Sequence, residues 1–213
     1  MTRPLPPRDG HLPEGFYYID EWIGDCLLDA KYAGSDNFMG RPATGYERAL
    51  VVVSRPVRDG LIRAAELARA QGLCLLLFDS FRPQRAVDDF CRWGADMGDQ
   101  QRKAIHYPNI EKARMFTDGY IARRSSHTRG SAVDLTLADA ATGQALDMGT
   151  CFDYMDTRSW PGSPDVMPEQ RQNRIRLREV MCASGFVPYE REWWHFSVSP
   201  EPYPGEYFDF PIR

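Results

Sequence analysis

Residues 125–137 read SSHTRGSAVDLTL and join a polar loop to a strand. In the second half, AVDLTL, apolar and polar residues alternate, which predicts a strand with one apolar and one polar face. Asp134 lies on the polar face, and His127 stands seven residues earlier in the loop. If the loop folds back, both side chains can reach one ion, and zinc accepts imidazole and carboxylate ligands together. For this spacing alone, a surface-loop histidine beside a capping or ion-paired aspartate is the commoner explanation.

The segment Glu192-Trp193-Trp194-His195 offers a further histidine and a carboxylate that need not bind metal. Metal-assisted hydrolysis needs such a carboxylate to accept a proton from the attacking water. The alternative is an edge strand with the tryptophans in the core and Glu192 and His195 in solvent. Residues three apart face opposite sides of a straight strand, so a shared site requires a bend, a bulge or a strand that begins after Glu192.

The segment FDSFRPQRA, residues 78–86, ends an apolar run and begins a helix at Pro83, which is an allowed first-turn position. Arg82 stands at this junction and could stabilise an oxyanion on a scissile carbonyl. The local sequence supports equally well an arginine that bridges a nearby carboxylate such as Asp79.

The remaining apolar patterns predict one α+β domain with a mainly antiparallel central sheet flanked by helices. The first helix, about 60–71, is predicted to be capped by Asp59, and His106 is interpreted as a loop residue. Residues 1–15 read as an extended arm before a domain at 16–213. Predicted strands cover 49–54, 73–78, 132–137 and 193–198, and further helices begin at 83 and cover about 168–184.

Composition excludes several classes of function. The formal net charge is -4, which gives no electrostatic case for a nucleic acid or an anionic membrane as partner. No stretch approaches the ~18 apolar residues of a membrane span, and the amino terminus lacks the apolar region of a secretory signal. The five cysteines include no C-x-x-C pair, which favours reduced thiols and a cytoplasmic protein. A periplasmic location stays open if a leader was removed.

Taken together, these segments resemble the VanX-type D-alanyl-D-alanine dipeptidases. That family consists of zinc peptidases in a wider group that includes D,D-carboxypeptidases and the N-terminal domain of Hedgehog proteins. The resemblance runs from about Gly15 to Arg213 and implies a Hedgehog/D,D-peptidase-like fold. The matching segments are DAKYAGSDNFMGRP, FDSFRPQRAV, SSHTRGSAVDLTL, MGTCFDYMD, EWWHF and EPYPGEYFDFP.

The resemblance implies a role for each of eight residues. One zinc ion per chain would be held by His127, Asp134 and His195. Glu192 would be the base and Arg82 the transition-state arginine. Substrate contacts would come from Tyr32, Ser125 and Asp153: an anionic Asp153 suits the ammonium group of a small dipeptide, and the two hydroxyls suit its carboxylate or backbone.

Two departures leave the substrate preference open. The arginine motif has Ser80 and Phe81 where the family typically has glycine and tyrosine, and the amino-terminal arm is longer than usual. A D,D-carboxypeptidase or peptidoglycan endopeptidase is therefore an alternative, as is a zinc-stabilised binding module without catalysis. The presence of Glu192 argues against the binding module, because a purely structural metal site needs no base. The oligomeric state and the biological role are not determined by the sequence.

Overall fold

The structure is a computed structural model that describes residues 11–213, and the first ten residues of the predicted arm lie outside this range. Strands and α-helices alternate irregularly along the described chain. The strands are β1 Phe16–Tyr18, β2 Leu27–Leu28, β3 Val52–Ser54, β4 Leu73–Asp79, β5 Ala132–Asp139, β6 Phe186–Pro188 and β7 His195–Val198. The helices are α1 Arg55–Arg69, α2 Gln84–Ala95, α3 Lys103–His106 and α4 Pro168–Ala183.

The central sheet has five strands in the order β2-β4-β5-β7-β6. Only the short β2 pairs parallel with its neighbour, and the other three pairings are antiparallel. The predicted α+β class with a mainly antiparallel sheet is confirmed. The longest strands, β4 and β5, lie next to each other because both are almost wholly buried and need protein on both faces.

The helices pack on one another and on the sheet. Helix α1 contacts β4 and α4, and α4 also contacts β6. Helix α1 begins earlier than predicted, at Arg55, because Pro56 pre-forms the first turn. Asp59 is therefore inside the helix, where it pairs with Arg58, and the predicted cap at Asp59 is wrong.

Two other local predictions need correction. The strand predicted at 49–54 is shorter and pairs with β1 in a separate two-stranded sheet rather than joining the central one. His106 is the last residue of α3 and is 3% exposed, so it is a buried helix terminus rather than a loop residue. The late start expected for the aromatic strand is confirmed, since β7 begins at His195.

The carboxyl-terminal tail is irregular and is anchored by aromatic rings. Phe210 stacks on the buried Phe81 with ring centroids 4.0 Å apart, and Phe16 makes edge contacts with both. This packing holds the tail beside the strand-to-helix junction that carries Arg82. All five cysteines are free. No helix among residues 11–213 is long and apolar enough to cross a membrane.

Candidate active site

Strand register aligns three site residues in a row across the central sheet. Asp134 of β5 lies opposite Asp79 at the end of β4 on one side and opposite His195 at the start of β7 on the other. Directly opposed residues in antiparallel strands have side chains about 4.5–5.5 Å apart on one face. The sheet therefore brings together groups separated by more than a hundred residues of sequence.

His127 reaches this row from the loop before β5. The loop turns back at Gly130, whose φ of +64° and close contact with Phe16 leave little room for a side chain. The imidazole Nδ1 donates to the carbonyl oxygen of Ser80 at 2.7 Å. Because Nδ1 carries the proton, the lone pair of Nε2 faces Asp134 and His195.

His127, Asp134 and His195 offer three converging ligand atoms. His127 Nε2 lies 3.2 Å from Asp134 Oδ2 and 3.2 Å from His195 Nδ1, and His195 Nδ1 lies 3.0 Å from Asp134 Oδ1. A tetrahedral zinc ion with bonds of ~2.0–2.1 Å would separate its ligand atoms by about 3.3 Å. The three side chains therefore fit such an ion and could hold it.

The charges around these atoms also favour a cation. Burial lowers the pKa of His127, which keeps its imidazole neutral. Burial alone would raise the pKa of Asp134, but His127 and His195 lower it below its usual range. Burial opposes protonation of His195, yet Asp134 raises its pKa overall. The buried carboxylate of Asp134 thus attracts positive charge. A bound metal ion would supply that charge in place of a proton.

Glu192 lies in the turn before β7, so the side chains of Glu192 and His195 share a site without a bend inside the strand. Its Oε2 is 3.8 Å from His195 Nδ1. Burial raises the pKa of Glu192 to about 7, despite the opposing effect of His195. A carboxylate with a pKa in this range is suited to accept and return a proton near neutral pH.

Arg82 makes the carboxylate contacts that one of the two alternatives from the sequence described. Its Nε donates to Asp79 Oδ2 at 2.9 Å and its Nη2 to Asp134 Oδ2 at 3.3 Å, so it does bridge carboxylates. It also lines the cleft, with the guanidinium over the rings of Tyr32 and Phe90. These contacts fix a cation beside the candidate metal ligands.

Asp153 and Tyr32 also line the cleft and contact each other. The Tyr32 hydroxyl donates to Asp153 Oδ2 at 2.7 Å. Burial raises the pKa of Asp153 well above its usual value, and the hydrogen bond from Tyr32 opposes this rise. A buried carboxylate of this kind gains most from a cationic partner. The hydroxyl of Tyr32 is thus engaged by Asp153.

Ser125 also lines the cleft, and its Oγ accepts from the backbone N–H of His127 at 3.2 Å. The cleft has a volume of about 440 Å³, at the small end of the ~300–1,000 Å³ typical of small-molecule sites. All eight predicted site residues line it: Tyr32, Arg82, Ser125, His127, Asp134, Asp153, Glu192 and His195.

Comparison with known proteins identifies the family. The sequence model of the peptidase M15 family described as D-Ala-D-Ala dipeptidase matches residues 13–213. The chain belongs to this family. It is 46% identical to a D-alanyl-D-alanine dipeptidase of Enterococcus faecium over 93% of this chain and 98% of that protein. A D-alanyl-D-alanine dipeptidase of Streptomyces coelicolor is 47% identical over 92% of this chain and 98% of that protein. A D-alanyl-D-alanine dipeptidase of Enterococcus faecalis is 44% identical over 94% of this chain and 100% of that protein.

The unusual pair in the arginine motif of this M15 peptidase has a structural basis. Phe81 is fully buried among aromatic rings, a site where a hydroxyl would need a partner. The Ser80 hydroxyl donates to the carbonyl oxygen of Ala132 at 2.8 Å, which ties the motif to β5. Neither side chain changes the cleft directly, because neither lines it.

Sequence reasoning missed several residues that support the site. Tyr46 donates to Asp79 at 2.7 Å and so holds the carboxylate that binds Arg82. Ser197 Oγ lies 3.3 Å from His195 Nε2, on the side of the ring away from the candidate ion. Ser197 could have been found, since residues two apart on a strand share a face. Tyr46 carried no such signal, because its contact depends on the tertiary fold.

Proposed function

We propose that this M15 peptidase is a zinc dipeptidase that hydrolyses D-alanyl-D-alanine to free D-alanine. The observation that carries the proposal is the convergence of His127, Asp134 and His195 with Glu192 beside them. A binding module that zinc only stabilises would need the three metal ligands but not the carboxylate of Glu192. The names of the relatives support the substrate, and full-length similarity supports a shared site.

In the proposed reaction, His127, Asp134 and His195 would hold zinc, which would supply Lewis acidity and make water easier to deprotonate. Glu192 accepts a proton from the attacking water and later gives it to the leaving amine. Its raised pKa suits both transfers, because a group titrating near neutrality exchanges protons at low cost in either direction.

Arg82 is proposed to stabilise the oxyanion of the tetrahedral intermediate. Asp79 and Asp134 hold two of its nitrogens, so the guanidinium is already oriented before charge develops. A donor that needs no reorganisation during the reaction lowers the barrier most.

A preference for free dipeptides follows from Asp153. Its buried carboxylate, hydrogen-bonded by Tyr32, suits the ammonium group at the amino terminus of the substrate. We expect Ser125, which also lines the cleft, to hydrogen-bond the carboxylate or backbone at the other end of the substrate. An acylated amino terminus would place a neutral amide against Asp153 in a small cleft, so the favourable pairing of carboxylate and ammonium would be lost. Five free thiols further support a reducing, cytoplasmic location.

The experiment compares D-Ala-D-Ala with N-acetyl-D-Ala-D-Ala at saturating zinc, in the wild type and in Asp153→Asn. The wild type should cleave the free dipeptide with a kcat/KM more than tenfold higher, since ~1.4 kcal/mol is a factor of ten. Asp153→Asn should lose most of this preference. Equal cleavage of both substrates by the wild type would contradict the proposal and support a D,D-carboxypeptidase or endopeptidase instead.

A further inference from the structure

His106 is a buried histidine that the proposed reaction does not use. It ends α3 and contacts the loop that carries Asp153. Its Nδ1 lies 3.3 Å from the carbonyl oxygen of Asp153, and its own carbonyl accepts from the backbone N–H of Met155 at 2.7 Å. His106 therefore holds the loop by both its side chain and its backbone.

Arg102 determines the protonation state of this histidine. Its Nη2 lies 3.2 Å from His106 Nε2. A guanidinium can only donate, so Nε2 must accept, and the ring proton must be on Nδ1, where it donates to Asp153. Burial, followed by the charge of Arg102, lowers the pKa of His106 and favours this neutral tautomer. Arg102 thus donates a hydrogen bond to His106, and His106 in turn donates one to the carbonyl oxygen of Asp153.

Arg102 also binds the backbone segment that carries Tyr32. Its Nε donates to the carbonyl of Asn37 at 3.1 Å and its Nη2 to Asp36 Oδ1 at 3.1 Å. Residues 31–40 of this segment include Tyr32, whose hydroxyl bonds Asp153. The Arg102–His106 pair therefore joins the two backbone segments whose side chains meet at the proposed ammonium site.

The backbone of Asp153 needs such support. Its φ of 55° lies in the left-handed region, and it is the only non-glycine residue with a positive φ among residues 11–213. A conformation of this kind is unfavourable for a residue with a side chain and persists when surrounding contacts hold it. The hydrogen bond from His106 is made to the carbonyl of this same residue.

We propose that the Arg102–His106 pair positions Asp153 against Tyr32 and thereby sets the recognition of the substrate's amino terminus. The proposal rests on the proposed role of Asp153 as the ammonium partner. Neither Arg102 nor His106 lines the cleft, so both act through Asp153 and are positioning residues. A purely structural role predicts something different: lower stability with an unchanged preference between free and acetylated dipeptide.

The test measures kcat and KM for D-Ala-D-Ala and for N-acetyl-D-Ala-D-Ala in the zinc-loaded protein. His106→Phe fills the space and removes both ring contacts. His106→Asn restores a donor near the position of Nδ1. Arg102→Gln is a second route in case His106→Phe does not fold, because the Arg102 side chain is 22% exposed. Val180→Ala is the matched control, because it removes buried side-chain atoms from α4 at a residue that does not line the cleft.

His106→Phe should reduce the preference for the free dipeptide about tenfold, mainly through a higher KM, since small displacements of a positioning group have effects of this size. Arg102→Gln should reduce it in the same direction, His106→Asn should recover part of it, and Val180→Ala should leave it unchanged. An unchanged preference in His106→Phe and Arg102→Gln, alongside a lost one in Asp153→Asn, would overturn this inference and leave the proposed function intact. An unchanged preference in Asp153→Asn would instead overturn the role of Asp153 itself.

Discussion

Replacing Arg82 with alanine should have two separable effects, one on catalysis and one on stability. The catalytic effect follows from the guanidinium beside the candidate metal ligands. Loss of an oriented oxyanion donor typically lowers kcat by about 10²–10³-fold. We expect kcat to fall by this amount with little change in KM, because the interaction develops in the transition state.

The effect on stability follows from Asp79. Its side chain is 2% exposed, and without Arg82 it keeps the hydrogen bond from Tyr46 and a longer contact of 3.8 Å with His127 Nδ1. Removing one partner of a buried ion pair typically lowers the free energy of unfolding by about 3–5 kcal/mol. The double variant Arg82→Ala/Asp79→Asn removes the unpaired charge as well, so it should recover much of this stability while kcat stays low.

The assay combines D-alanine release, measured as kcat and KM at saturating zinc, with urea unfolding of the same proteins. Arg82→Lys is a useful comparison, since a single ammonium group cannot reproduce the fork that spans two carboxylates. A rise in KM with unchanged kcat in Arg82→Ala would refute the transition-state role and make Arg82 a substrate anchor. Recovery of kcat in the double variant would show that the loss came from misfolding around Asp79.

Three further predictions concern other groups. Glu192→Gln should keep its metal, measured by elemental analysis, and lose about 10²–10⁴-fold in turnover. Glu192 acts when it is ionised, so kcat/KM should fall as the pH decreases through the pKa of Glu192. This acidic limb should lie at or below about pH 7, because a bound cation would lower the pKa of Glu192. Asp153→Asn should retain the limb. Arg41 and Thr44 hold the pKa of buried Asp89 at about 2, below the usual 3.8, despite the opposing effect of burial. Asp89→Asn should therefore lose about 2 kcal/mol of unfolding free energy at pH 7, and the difference should shrink as pH falls from about 4 to 2 in urea titrations.

The convergence of His127, Asp134 and His195 could be predicted in part because these residues stand at or near strand boundaries that leave a sequence pattern. Tyr32, Ser125 and Asp153 were expected only from the family resemblance. The alternation around Asp134 marked a strand, and the poor strand residues before Trp193 marked a late start for β7. Both predictions are confirmed. The helix cap at Asp59 was wrong because Pro56, one turn earlier, starts the helix, and a capping residue seen locally cannot exclude an earlier start.

What the sequence could not give were contacts made only in the folded chain. The links from Tyr46 to Asp79 and from His106 to Asp153 join residues whose separation is determined by tertiary packing. His106, read as a loop residue, had no periodic pattern around it. Single hydrogen bonds across long sequence separations leave no periodic pattern, whereas burial of a whole face does.

The most direct test of the central claim is an anomalous difference map collected at the zinc edge from crystals of the zinc-loaded protein. We predict one strong peak per chain within ~2.0–2.2 Å of His127 Nε2, an oxygen of Asp134 and His195 Nδ1. Glu192 should lie close to this peak without binding it. A peak at other residues, or an active enzyme with no peak among these three side chains, would contradict the account.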